Sequence, residues 1–272
     1  MRWYNSPVLW RSSISTAVAI LAGIETCLAI STVSLDNIWG KLSWFLKLLL
    51  FIVFFASLVF AVFMFKYIRA KNGISLKVRG VKVKIEVGDI FQAVGWKVIA
   101  FNEYFDVIVD DIVIAHNSLN GAFIDSYVDD IAELRDTIRN ATENTKYKKQ
   151  ERDGRMVYPL GRIITYKDFM LLAFTHFDNN QAHLSQADYE YCLRVMWTEI
   201  DRTYANKPVF LPLLGSGITR FDGTPHKSKF DLLRCMLCTL RTSEAKLNQP
   251  ITILLTKEAM EEINVYELKG LK

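Results

Sequence analysis

The feature that most restricts how this chain can fold is an apolar stretch from Leu42 to Phe65, in which Lys47 is the single charged residue. About 20 apolar residues in a helix cross the ~30 Å hydrocarbon core of a bilayer, so this stretch predicts a membrane-spanning helix. The stretch from Ile14 to Val33 carries Glu25 as its single charge and predicts a second span. A cleaved signal peptide is the alternative for that stretch, but no clean small-residue cleavage site follows it.

The two predicted spans are joined by a short connection from Ser34 to Lys41, so residues 1–72 are expected to form an antiparallel transmembrane hairpin. Basic residues precede the first span and follow the second, and the positive-inside rule then places both termini in the cytoplasm. These residues are Arg2, Arg11, Lys66, Arg69, Lys71 and Lys77. Aromatic residues are expected at the outer interface (Trp39 and Trp44) and at the inner one (Trp3, Tyr4, Trp10 and Tyr67).

Glu25 lies near the middle of the first predicted span, where an ionisable side chain is costly and suggests a function. One interpretation is that its carboxyl group pairs between subunits or lines a polar path, which favours a homo-oligomer. The other is a protonated acid that hydrogen-bonds to a neighbouring helix and serves packing alone. The sequence leaves both open.

Residues 73–272 are numerous enough for one α/β domain with its own core. Hydrophobic residues make up 51% of the chain, concentrated in the first 65 residues, and the formal net charge is +4. This mild charge, without a dense basic stripe, argues against nucleic acid as a partner. We predict no metal site, because the four histidines lack ligand spacing and the Cys235–Cys238 pair lies in a helix-like run. The histidines are His116, His176, His183 and His226.

Apolar and polar residues alternate from Ser75 to Val87, which predicts a β-hairpin with its turn at Arg79-Gly80. Beyond the hairpin, strands and helices alternate, which predicts a three-layer α/β/α domain with a mixed sheet. The predicted strands are 96–101, 162–166, 169–177, 208–214 and 251–255, the predicted helices are 119–139, 187–204, 227–241 and 258–268, and 146–155 is expected to be a charged loop.

Two short stretches suggest a ligand site. An apolar strand ends abruptly at Gly215-Ser216-Gly217, and successive free N–H groups in such a loop form a concavity suited to phosphate. Asp89 follows the predicted hairpin directly, where a carboxylate can accept a hydrogen bond from an exocyclic amine. Taken alone, the tripeptide is as readily a plain turn, and Asp89 is as readily a cap of the next segment.

The order of these stretches resembles a macro domain over roughly Val81 to Leu268. A strand, then Gly88-Asp89-Ile90, then an apolar strand ending in Asn102 resembles the start of that domain. Leu-Pro-Leu-Leu followed by Gly-Ser-Gly-Ile and an aromatic residue resembles its second phosphate loop. The resemblance implies an ADP-ribose-derived ligand and no further cofactor.

The same resemblance implies roles for individual residues. Asp89 would accept from the adenine amino group, Ile90 would lie against the base, and Asn102 would sit near the distal ribose. The first loop would comprise Ser118, Leu119, Asn120, Gly121, Ala122 and Phe123, and the diphosphate loop Leu214, Gly215, Ser216, Gly217, Ile218, Thr219, Arg220 and Phe221.

Hydrolytic macro domains carry an Asn-Ala-Ala-Asn type stretch and a glycine triplet, and this chain departs from both. Asn102 is the single asparagine from Val98 to Asp106, and the first loop contains Gly121 alone. We therefore expect a binding protein without a catalytic residue. A membrane-tethered ADP-ribosyl hydrolase and a passive binder of ADP-ribosylated partners are the alternatives.

A two-helix membrane hairpin ahead of such a domain resembles the transmembrane–macro effectors of Thoeris anti-phage defence. The stretches 101–106, 172–175 and 214–218 fit that family's general run. The resemblance implies an inner-membrane effector of abortive infection, whose macro domain binds a signal nucleotide made by a TIR-domain partner. It implies a histidine–ADP-ribose conjugate as that signal. The hairpins would then assemble and disrupt the membrane.

Overall fold

The computed structural model describes residues 7–30, 43–71, 73–143, 150–152, 154–223, 227–263, 265 and 267–268. The chain divides into two compact units. One comprises Met1–Gly73 with Asn264–Gly270, and the other comprises Ile74–Ile263 with Leu271–Lys272.

The first unit contains two helices that are long and apolar enough to cross a membrane, α1 (Pro7–Ile30) and α2 (Trp44–Lys71). Both extend beyond the predicted spans, α1 at its start and α2 at its end. Hydropathy marks only the part of a helix that suits lipid, so polar turns that continue the helix escape it. The predicted connection 34–41, with Trp39, and the terminal Arg2, Trp3 and Tyr4 lie outside the described residues.

Helices α1 and α2 pack against each other through an aromatic pair and a polar cluster. The rings of Trp10 and Phe63 stack with their centroids 4.4 Å apart. Lys66 donates from Nζ to the carbonyl and hydroxyl oxygens of Ser12, at 2.7 and 2.8 Å, and to Thr16 Oγ1 at 2.7 Å. Glu25 lies on the exposed side of α1, and no described residue hydrogen-bonds to it.

The second unit is built on a mixed sheet, as the sequence predicts. In the described part of the chain this sheet has nine strands, β1 (Ile74–Val78), β2 (Val81–Val87), β3 (Trp96–Asn102), β6 (Ile163–Tyr166), β7 (Phe169–Asp178), β8 (Gln181–Leu184), β9 (Val209–Pro212), β10 (Arg220–Phe221) and β11 (Ile251–Leu255). Their order is β1-β2-β11-β9-β3-β7-β8-β10, with β6 beside β7. Neighbours from β2 to β7 are parallel, as are β8 and β10, whereas β1 pairs antiparallel with β2, and both β6 and β8 pair antiparallel with β7.

Helices cover both faces of this sheet and complete three layers. They are α3 (Leu119–Tyr127), α4 (Ile131–Glu143), α5 (Gln186–Thr203), α6 (Lys229–Thr242) and α7 (Lys257–Glu262). Phe101 of β3 and Phe174 of β7 contact helices on opposite sides of the sheet. Phe101 contacts Phe123 of α3 at 6.0 Å between ring centroids, whereas Phe174 contacts Tyr189 of α5 at 5.9 Å.

The β-hairpin predicted at the start of the domain is confirmed. Strands β1 and β2 are joined by Arg79 and Gly80, which both adopt positive φ, at 46° and 87°. Two left-handed residues give a hairpin turn whose twist matches that of its strands.

Two predicted helices are wrong in extent. The helix predicted over 119–139 breaks between Tyr127 and Ile131, because Val128 is extended and the Asp130 carboxylate caps a new helix by accepting from Ala132 N at 2.7 Å. The last predicted helix ends at Glu262, since the next residue is extended.

The segment expected to be a charged loop contains a two-stranded hairpin instead, β4 (Gln150–Arg152) and β5 (Arg155–Val157). Three-residue strands are too short to produce a recognisable alternation.

Candidate functional site

A cavity of about 400 Å³ opens at the carboxyl edge of the sheet, where β3 and β9 end. Its walls come from the end of β3, the loop before α3, the β7–β8 region and the loop after β9. The lining residues are Ala100, Phe101, Asn102, Val113, Ile114, Asn117, Ser118, Leu119, Asn120, Phe174, Thr175, Phe177, Ala182 and Pro212 to Thr219. None of these described residues is charged, so an anion in the cavity would be held by neutral hydrogen-bond donors.

The glycine loop after β9 forms one wall. Gly215 turns the chain at φ 82°, and a Cβ there would lie 3.1 Å from the Phe221 ring. Ser216 hydrogen-bonds back to Leu213 O through its N–H and its hydroxyl, at 3.3 and 2.6 Å. The N–H groups of Gly217 and Ile218 donate to no other described residue. The loop thus offers free donors at the cavity wall.

The N-terminus of α3 forms another wall. Ser118 Oγ caps the helix by accepting from Gly121 N at 2.9 Å, and it donates to Ala115 O at 2.7 Å. Because first-turn N–H groups have no partner within a helix, those of Leu119 and Asn120 donate to no other residue that the structure describes. A helix N-terminus also carries a partial positive charge, which favours anions. Two groups of neutral donors therefore line one cavity.

Asn120 adds an acceptor to this arrangement. Its Oδ1 atom is buried and has no hydrogen-bond partner among the described residues. Leaving a buried polar atom unpaired costs about 1–3 kcal/mol, so a ligand that brings an N–H or O–H group to it would recover that loss. The cavity therefore suits a molecule that combines an anionic group with a hydroxyl or amine.

Asn102 lines the cavity with its amide engaged in its own loop. Its Oδ1 accepts from the backbone N–H groups of Tyr104 and Asp106, at 3.1 and 3.2 Å. Its Nδ2 donates to Asp106 Oδ2 at 2.8 Å. Asn102 consequently holds the shape of the loop that follows β3.

Glu103, the next residue, ties the cavity wall to neighbouring elements. Its carboxylate is 2% exposed and lies 2.8 Å from His176 Nδ1 and 2.9 Å from Arg152 Nη1. Its backbone N–H donates to Thr175 O at 2.7 Å. Burial opposes ionisation, but the hydrogen bond and charge of His176 and the charge of Arg152 leave the pKa of Glu103 below its ordinary value. The hydrogen bond to Glu103 raises the pKa of His176 against its partial burial.

The structure brings many of the predicted site residues together. Asn102, the first-loop residues 118–120 and the glycine-loop residues 214–219 line the same cavity. Gly121, Ala122, Phe123, Arg220 and Phe221 adjoin these loops but are not in its lining. Gly121, Phe123 and Phe221 are buried, whereas Arg220 is exposed and donates to Gln181 Oε1 at 3.2 Å.

Asp89 and Ile90 also lie outside the lining of this cavity. Asp89 caps a short 3₁₀ helix by accepting from Phe91 N at 3.0 Å. The structure thus shows the role that the sequence offered as an alternative, a cap of the next segment. Ile90 is 4% exposed and belongs to the hydrophobic core. Their contact with an adenine base stays a prediction.

Sequence reasoning missed the part of the cavity that comes from the β7–β8 region and from the loop before α3. Phe174, Thr175 and Phe177 line it because β7 runs parallel beside β3 and ends at the same edge. The signal was a polar residue near the end of an apolar strand, which marks a ligand site only once the neighbouring strand is known. In the described residues, no group of three or more potential metal ligands occurs, and His226 lies outside them.

Comparison with known proteins gives consistent matches. The family described as Thoeris protein ThsA, macro domain, matches residues 83–256. The Thoeris protein ThsA of Bacillus amyloliquefaciens (strain Y2) is 40% identical over 236 residues, which are 82% of this chain and 78% of that protein. A mutant Oceanobacillus iheyensis macrodomain solved with ADPR is 14% identical, with a TM-score of 0.47 over 73% of this chain and 96% of its own. The same macrodomain with ADP is 13% identical, with a TM-score of 0.45 over 73% of this chain and 94% of its own.

Proposed function

Because this chain belongs to the Thoeris ThsA macro-domain family, we propose that it is a membrane-anchored effector of bacterial anti-phage defence. Its macro domain binds an ADP-ribose-derived signal nucleotide of the histidine–ADP-ribose type, which a TIR-domain partner makes. Binding drives assembly of the N-terminal hairpins in the inner membrane, with both termini in the cytoplasm, and the assembled hairpins disrupt the membrane. The chain acts by binding its ligand rather than by hydrolysing it.

This proposal rests on one observation: two separate groups of N–H donors, which donate to no other described residue, line the same cavity. The α3 N-terminus and the glycine loop supply neutral donors suited to a diphosphate, and Asn120 Oδ1 supplies an acceptor for a hydroxyl or amine. A nucleotide of the ADP-ribose type carries a diphosphate, hydroxyl groups and an amine. Coupling to assembly requires that this ligand bind the assembled form better than the resting form.

Calorimetric titration of the full chain in mild detergent with ADP-ribose, and then with the histidine–ADP-ribose conjugate, tests the ligand. We expect both to bind, and we expect Asp89→Asn to weaken binding about tenfold, since a hydrogen bond to a charged group contributes about 1.5–3 kcal/mol. Asparagine can still accept from Phe91 N, so this variant separates the carboxylate's contact with the ligand from its capping of the 3₁₀ helix.

Asp130→Asn is the matched control, because Asp130 also caps a helix, by accepting from Ala132 N, and the proposal gives it no contact with the ligand. Its affinity for both ligands should equal that of the unmodified chain. Equal affinities in Asp89→Asn would remove the adenine role of that carboxylate. Failure of both ligands to bind the unmodified chain would remove the signal-nucleotide proposal, and release of free ADP-ribose from a modified substrate would establish hydrolysis instead.

We propose that assembly of the hairpins depends on Glu25. Its carboxyl group is exposed on α1, where a second copy of the hairpin could provide the hydrogen bond that lipid cannot. We expect Glu25→Leu to abolish the ligand-dependent increase in mass measured by light scattering in detergent, and Glu25→Gln to retain part of it. Ile24→Leu, a neighbouring lipid-facing change, should assemble normally. Unimpaired assembly of Glu25→Leu would restrict this residue to packing.

A further inference from the structure

A second cavity, of about 470 Å³, lies beside the loop that follows β3. Arg135 and Arg139 of α4 and Arg155 of β5 line it, together with Tyr104 and Asp106. We propose that this cavity is a second binding site, for a small molecule that carries phosphate. The proposal does not depend on the nucleotide-binding role of the first cavity.

Within the described residues, two of the three arginines have an acidic partner, and Arg135 has none. The side chain of Arg135 makes no hydrogen bond, ion pair or ring contact with any other described residue. Arg139 pairs with Asp136 at 2.6 Å, but both side chains are more than half exposed, so the pair contributes little. Arg135 and Arg139 are four residues apart on one helix, where like charges repel. An anion bound between them would relieve that repulsion.

Arg155 is fixed in place on the other side of the cavity. It forms an ion pair with Asp106, and its guanidinium carbon lies 3.9 Å from the centre of the Tyr104 ring. A guanidinium held by a carboxylate and an aromatic ring loses little further freedom when it binds a ligand. Among the described lining residues Asp106 is the single carboxylate, so the three arginines leave this lining positively charged.

The chemistry of the lining favours phosphate on a small molecule over an acidic protein segment. Planar guanidinium groups match phosphate oxygens in pairs, and three of them can surround one phosphate group. Buried Phe105 and Tyr158 contribute to the lining. A volume of about 470 Å³ lies within the range of small-molecule sites. None of the described residues that line the first cavity is charged, so the two sites should differ in their response to salt.

Inorganic pyrophosphate is the probe for this site, titrated into the full chain in detergent by calorimetry. We expect a binding event that weakens strongly when sodium chloride is raised from about 50 to about 500 mM. The double variant Arg135→Ala with Arg139→Ala should lose at least about tenfold in that affinity. Arg194→Ala is the control, because Arg194 is an exposed helical arginine outside this cavity and should leave the event unchanged.

ADP-ribose titrations of the same variants separate this proposal from the first. The double variant should keep its affinity for ADP-ribose, and Arg135→Lys combined with Arg139→Lys should recover part of the pyrophosphate affinity. Pyrophosphate binding that is absent, or equal in the double variant and the unmodified chain, would overturn the proposal. Binding of a polyglutamate peptide but not pyrophosphate, lost in the double variant, would overturn it in favour of a protein partner.

Discussion

Replacing Gly121 by alanine is expected to lower the affinity for ADP-ribose at least tenfold and the free energy of unfolding by about 1–3 kcal/mol. A Cβ at this position would lie 2.3 Å from Ala115 O and 3.1 Å from the Cα of His116. These are backbone atoms, so α3 and the preceding loop would have to move apart. Because the cap at Ser118 and the free N–H groups of the first turn lie at this junction, the movement would disrupt the donors at the cavity wall.

Calorimetry with ADP-ribose and thermal unfolding of the full chain in detergent measure the two effects. Gly217→Ala is the control for stability, since a Cβ there would meet no atom within 4 Å, and its thermal midpoint should not change. If Gly121→Ala matched the unmodified chain in both affinity and thermal midpoint, the close packing of α3 against its loop would not be required.

Replacing Glu103 by alanine is expected to destabilise the domain by about 2 kcal/mol. Removing one partner of a fully buried ion pair costs about 3–5 kcal/mol. The cost should be smaller here because Arg152 is 51% exposed and His176 is 29% exposed, so both can regain water. The same change should weaken ligand binding, since the carboxylate of Glu103 accepts from Phe177 N at 3.4 Å, and Phe177 lines the cavity.

The stabilisation by this pair should depend on pH in a defined direction. His176 has a raised pKa, so its contribution is complete below its ordinary value of 6.5 and is lost as the pH rises through the raised value. Glu103 has a lowered pKa, so its contribution is complete above its ordinary value of 4.5 and is lost as the pH falls through the lowered value. The difference in thermal midpoint between the unmodified chain and Glu103→Ala should therefore be largest between pH 4.5 and pH 6.5, the ordinary pKa values of the two side chains.

Glu103→Gln serves as the matched variant for this pair. Glutamine keeps an acceptor for Phe177 N and lacks the charge that attracts His176 and Arg152. It should show a smaller loss of stability than alanine, and that loss should vary with pH in the same direction, because both variants lack the charge that pairs with His176. A loss in Glu103→Ala that is constant from pH 5 to 9 would exclude the ion pair with His176 as its source.

The elements that sequence alone predicted are those whose signals are local. The hairpin of β1 and β2 follows from alternation and from the left-handed turn at Arg79-Gly80. The break between α3 and α4 was missed because apolar residues continue at helical spacing across it, from Phe123 and Tyr127 to Ile131 and Leu134. Its cause is the capping carboxylate of Asp130, which competes with the helix only once the chain turns there.

The site also has features that local sequence signals predict and features that depend on long-range structure. The glycine loop was predicted because it ends an apolar strand, which is where ligands bind in parallel sheets. Asn102 was predicted from the resemblance to a macro domain. The contribution of Thr175 and the pairing of Glu103 with His176 depend on β7 lying beside β3. Strand order is a long-range property, and no spacing along a single sequence encodes it.

The neutral lining of the first cavity also has a consequence for timing. Charged side chains attract an anion over long distances, whereas N–H dipoles act only close to it. Without local steering, capture should be slower than at a site lined by cations, so tight binding would have to come from slow dissociation. A sensor of this kind would keep its ligand after the supply of ligand has ended, and it would respond to the accumulated signal rather than to brief fluctuations.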